Sequence, residues 1–184
     1  RIKTLNTTFV LYLYTIKMAY KIRVILDVEK DVFRDIIVNE SINLEELHFT
    51  IAKSFGFKGQ EMASFYLTDD SWEQGEEIPL FDMSEDENSF AMSNCLTSTI
   101  LKKVGDKLIY IYDFFSMWTF FIELSEIIDN PEEDLPVIAL SFGNTPDEAP
   151  EKEFIGESSH DDNYDAFDDE NNFENLDDID FDNY

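Results

Sequence analysis

Few side chains in this sequence have the chemistry of a reaction centre. His48 stands next to Leu47 at the border of an apolar helical stripe, and the second histidine, His160, lies in an acidic C-terminal run. An imidazole at such a border can shuttle protons or hold a ligand. The same position also suits a partly buried ring hydrogen-bonded to backbone, and that reading is favoured. Asp113 follows Tyr112 and precedes Phe114 and Trp118. Aromatic surroundings raise a carboxyl pKa toward that of a general base, whereas a carboxylate beside a turn more commonly holds the turn backbone. Ser64, Ser116 and Tyr112 offer hydroxyl nucleophiles. Phosphoryl transfer would need clustered cations beside them, and Arg23 and Arg34 are the only arginines after Met18.

Asp69, Asp70, Glu73, Glu76 and Glu77 carry enough oxygen to hold a divalent cation, but they lack the spacing of a calcium loop and read as a solvated loop. Cys95 is the single cysteine, which excludes an internal disulfide and suits a reducing cytoplasm. With two histidines besides, no zinc ligand set is expected. There is no glycine-rich phosphate loop. The residues therefore predict no catalytic, cofactor-binding or metal site.

The elements that must position these groups are legible from periodicity. Tyr20–Asp27 alternates Tyr20, Ile22, Val24 and Leu26 on one face, and Val32–Val38 follows as the second arm of a hairpin. Asn43 and Glu46 form a capping-box pair, and Leu44, Leu47, Ile51 and Phe55 recur at helical spacing up to Gly56. Ser64–Thr68 reads as a strand, Asp69–Glu77 and Ser84–Asn88 as acidic loops, and Asn94–Val104 as a short helix. Leu108–Phe114 and Met117–Leu124 read as strands joined at Phe115-Ser116, and Pro136–Phe142 as a last strand. Residues 1–17 are expected to lie upstream of a start at Met18, and the domain to span residues 18–143. Residues 144–184, rich in Asp, Glu and Asn, are expected to be a disordered tail.

With 41 acidic and 13 basic residues, the chain carries a net charge of −28. That charge argues against direct contact with nucleic-acid phosphates or anionic lipid, and it favours a protein partner with a basic surface. The apolar run Phe9–Ile16 is too short to span a bilayer. In the tail, Phe173, Leu176, Ile179 and Phe181 alternate with acids and are candidate partner contacts.

Four stretches carry a family resemblance. They are Val32-Phe33-Arg34-Asp35-Ile36, Leu44-Glu45-Glu46-Leu47-His48, the run from Gly105 to Phe114, and Trp118. With them the chain resembles the plasmid pRiA4b ORF-3-like proteins, over roughly residues 19 to 150. Some of those proteins carry a label of transposon passenger of resolvase type. The resemblance implies His48, Tyr112, Asp113, Phe114 and Trp118 as family-motif positions. The family commonly follows Tyr-Asp-Phe with Gly-Asp, Trp and then a His; here Phe115, Ser116 and Phe120 stand at the Gly, Asp and His positions. Ile138 stands where a Cys is common.

The expected fold is α+β: a mainly antiparallel sheet with one long helix, Asn43–Phe55, across a face, in a β-grasp-like order. The expected function is a non-catalytic cytoplasmic interaction module of a mobile-element-associated family. The alternatives are a nucleic-acid-processing enzyme, which only the resolvase-type label implies, and an acidic decoy of a basic nucleic-acid-binding surface.

Overall fold

A computed structural model describes residues 17–81, 90–131 and 134–150. The chain opens with an antiparallel hairpin of β1 (Met18–Leu26) and β2 (Phe33–Asn39), then the helix α1 (Leu44–Ser54). β3 (Ala63–Thr68) and β4 (Gln74–Pro79) form a second hairpin. A 3₁₀ turn at Met92–Asn94 and the four-residue helix α2 (Thr97–Ile100) lead to β5 (Lys107–Tyr112), β6 (Trp118–Asp129) and β7 (Val137–Phe142). The seven strands form one sheet in the order β4-β3-β5-β6-β1-β2-β7, antiparallel at every pairing.

This arrangement corrects the expected fold class. The molecule is dominated by its seven-stranded antiparallel sheet. Among the described residues α1 is the one helix longer than four residues, and the β-grasp-like order does not hold. The reasons are local. Gln74–Pro79, inside the expected acidic loop, is an edge strand whose first four residues are exposed, so only Ile78 shows a buried period. β6 continues past Leu124 through a polar stretch, because Ser125 forms a bulge opposite Lys21 and its Oγ donates to the Lys21 carbonyl at 2.7 Å. The expected helix Asn94–Val104 shrinks to α2. Its Thr-Ser-Thr sequence is a weak helix former, and the Asp106 carboxylate accepts from the Lys102 and Lys103 amides, closing a turn directly after it.

α1 forms as its sequence predicts. Asn43 Oδ1 accepts from the Glu46 amide at 2.8 Å, and Glu46 Oε2 accepts from the Asn43 amide at 3.1 Å. At the other end Gly56 takes φ +89°, and the Phe57 and Gly56 amides donate back to the Ala52 and Lys53 carbonyls. That is a Schellman closure, which a left-handed glycine permits. Two more donors finish this end. Arg34 Nε reaches the Ser54 carbonyl at 3.1 Å, and Thr145 Oγ1 reaches the Phe55 carbonyl at 2.8 Å. Through Thr145, residues beyond β7 are tied to the domain.

The core lies between α1 and one sheet face. Leu44, Leu47, Ile51 and Phe55 pack over Ile22, Val24, Ile36, Tyr110, Phe120 and Ile122. Among the described residues no helix is long and apolar enough to cross a membrane.

Candidate functional site

His48 projects from α1 into this core and is fully buried. Its Nε2 lies 3.3 Å from the Gly59 carbonyl and its Nδ1 lies 2.7 Å from the Tyr110 hydroxyl. A carbonyl can only accept, so Nε2 carries the proton and donates to Gly59. Nδ1 then accepts from the Tyr110 O–H. The Gly59 amide in turn donates to Tyr112 Oη at 3.2 Å. Burial holds the imidazole below its ordinary pKa, with the Gly59 carbonyl opposing, and pushes the Tyr110 phenol well above its own. The neutral ring is therefore fixed in one tautomer with both nitrogens engaged.

Aromatic side chains enclose it. The His48 ring meets Tyr110 and Tyr112 at 5.9 and 6.1 Å between centroids. Phe57, delivered by the closure after α1, sits 5.1 Å from both Tyr112 and Trp118. Three family-motif positions, His48, Tyr112 and Trp118, thus meet in one buried cluster.

Asp113 and Phe114 do not join it. They lie in the Asp113–Met117 loop between β5 and β6. Asp113 has φ +57°, and its carboxylate accepts from the Phe115 amide at 3.1 Å, the Ser116 amide at 3.4 Å and Ser116 Oγ at 2.7 Å. The carboxylate organises the loop. Phe115 is 98% exposed, so the loop leaves this side chain unpacked.

The acidic run after β3 is dispersed among separate tasks. Asp69 accepts from Ser71 and Glu73, Asp70 pairs with Lys107 at 3.0 Å, and Glu77 accepts from Ser64 at 2.6 Å. No three His, Cys, Asp or Glu side chains among the described residues gather as a metal site. The two arginines separate as well. Arg23 grips Asp35 in a bidentate pair at 2.7 and 2.8 Å, which lowers the Asp35 pKa. Arg34 lies buried on the opposite face, giving its donors to the Phe33, Ser54 and Phe142 carbonyls, with its guanidinium 4.7 Å from the Phe55 ring. Phe173, Leu176, Ile179 and Phe181 lie outside the described residues.

Sequence reasoning missed Tyr110 and Gly59 as the partners of His48. Tyr110 carried a signal, since it shares the alternating face of Leu108 and Tyr112; Gly59 carried none. The reading also missed the open cleft between the β1–β2 turn and the segment after β7. It has a volume of about 1050 Å³, and Glu29, Asp31, Asp147 and Glu148 stand around it against Lys30.

A family model for plasmid pRiA4b ORF-3-like proteins matches residues 18–181. Among solved structures, the chain is similar to a protein of unknown function, MM3350, from Methanosarcina mazei Go1. The TM-score is 0.59 at 17% identity, over 72% of this chain and 73% of that one. At that identity the likeness is one of fold. No curated protein matches.

Proposed function

The chain belongs to the plasmid pRiA4b ORF-3-like family, and from that premise we propose that it is a non-catalytic interaction module whose partner is a protein with a basic surface. One observation carries this reading. The polar family-motif groups are engaged inside the fold or in its loop, while the open concavity is acidic. His48 and Tyr112 brace the Gly59 loop against the sheet, and Asp113 holds its own turn. The cleft instead presents Glu29, Asp31, Asp147 and Glu148. A net charge of −28 extends the same field over the chain and steers cations toward it.

In this reading the Asp- and Glu-rich segment after Pro150 adds to the steering, with Phe173, Leu176, Ile179 and Phe181 as its apolar contacts. The free, buried Cys95 suits a reducing cytoplasmic setting.

The test is capture from a bacterial lysate with the full chain as bait, followed by titration of the captured protein at two salt concentrations. A basic protein whose affinity falls as salt rises is the expected result. Capture of acidic proteins without salt dependence would sink the reading. So would metal-dependent cleavage of nucleic acid by the purified chain.

A further inference from the structure

The sheet ends in two edges of opposite character. At one end β4 presents Gly75, Glu76, Glu77 and Pro79. Charge, glycine and proline are what soluble sheets use to turn away a foreign strand. At the other end β7 reads Val-Ile-Ala-Leu-Ser-Phe, with no charge, glycine or proline. Ile138, Leu140 and Phe142 remain 48%, 45% and 52% exposed, and no other strand among the described residues pairs with the outer side of β7. Its sheet neighbour is β2, where Phe142 stacks on Phe33 at 5.2 Å between centroids. On the free side of an edge strand, alternate N–H and C=O groups point outward.

The strand also leads into the acidic cleft. Phe142 lines it, and Gly143 turns the chain away at φ +70°, where a Cβ would collide with the Asp31 carbonyl. Among the described residues, an apolar edge with a bulge at Ala139 and an anionic concavity therefore adjoin at the C-terminal end of β7.

We propose that β7 is a docking edge for an extended segment of a partner protein, added antiparallel as a further strand. Apolar residues at alternate positions of that segment pack on Leu140 and Phe142. A Lys or Arg near its N-terminal end enters the cleft between Asp31, Glu29, Asp147 and Glu148. Main-chain hydrogen bonds supply affinity and the alternate side chains supply selectivity, as in other strand additions. Charge selects the occupant: a chain at −28 repels a second copy of itself and attracts a basic segment. The proposal rests on the interaction-module reading and adds the surface and the chemical class of its ligand.

The probe is a displayed library of random twelve-residue peptides, selected on the full-length chain. Peptides with alternating apolar residues and Lys or Arg toward the N-terminal end should be enriched. Leu140→Lys puts a charge on an exposed position of the edge, and Asp147→Lys with Glu148→Lys reverses the cleft rim. Each should cut binding of an enriched peptide at least about tenfold while the melting temperature stays near that of the parent. No enrichment, or enrichment that both variants leave unchanged, overturns the proposal. So does a concentration-dependent dimer abolished by Leu140→Lys, which would make the occupant a second copy. A lysate partner that binds both variants as tightly as the parent removes the β7 edge and leaves the interaction-module reading standing.

Discussion

A buried imidazole has its protonation state settled by its neighbours, and at His48 Tyr110 and Gly59 settle it. Tyr110→Phe keeps the ring and removes the hydroxyl that Nδ1 accepts from. An unsatisfied buried acceptor costs about 1–3 kcal/mol, so this variant should lower stability by that amount in urea unfolding. The pH dependence follows from the same contacts. The folded pKa of His48 lies below its unfolded value of 6.5. The unfolded chain therefore binds more protons between the two values, and stability rises with pH across that window. It is complete above the unfolded pKa and declines as pH falls from 6.5 toward the folded value. His48→Gln removes the titrating group. Comparing urea midpoints at about pH 7.5 and about pH 5.5 should show a clear drop for the parent and a smaller one for this variant. Equal drops would move the titration to another group. The depressed Asp35 pKa adds its own loss only at lower pH, below the ordinary carboxylate value of 3.8.

At the scale of elements, α1 is set by its ends. Asn43→Ala removes the side chain that holds the Glu46 amide, and should cost about 1 kcal/mol. Gly56→Ala meets nothing within 4 Å, so its cost is purely that of a Cβ at φ +89°, again about 1 kcal/mol. Unfolding midpoints unchanged in both would contradict these caps. The helix is the most legible part of the sequence because its signals are local: cap, stripe and glycine lie within fifteen residues. β1 is legible for a similar reason, since its one buried face imposes a period of two, whereas β5 is buried on both faces and is legible from its run of aromatic and β-branched residues. β4 is not, because an edge strand with exposed sides has no such period. Nor is the extent of β6, which a bulge and a distant partner strand fix. The site divides in the same way. From its place at the stripe's border His48 reads as a partly buried ring bonded to backbone, and the structure buries it fully. Its bonds to Gly59 and Tyr110 depend on how α1 crosses the sheet, and no spacing encodes that. Arg34 shows the limit of reading by type. A cation in register with Ile36 and Val38 is buried because three carbonyls, from Phe33, Ser54 and Phe142, converge on it.

At the scale of the whole molecule the dominant quantity is charge. A chain at −28 repels itself when compact more than when unfolded, because folding brings like charges closer. Raising salt from about 0.01 M to about 0.15 M shortens the screening length from about 30 Å to about 8 Å. The ion pairs Lys21–Glu126 and Lys107–Asp70, each with an exposed carboxylate, lose strength under the same screening, but such surface pairs contribute little. Relief of the general repulsion should prevail, and the melting temperature of the full chain should rise by a few degrees. The proposed partner interaction depends on salt with the opposite sign, since screening weakens attraction between an acidic surface and a basic segment. One salt series thus yields a stability curve that climbs and an affinity curve that falls. A melting temperature that falls with salt would mean that local ion pairs outweigh the net repulsion, and that long-range charge is a weaker force in this protein than its composition implies.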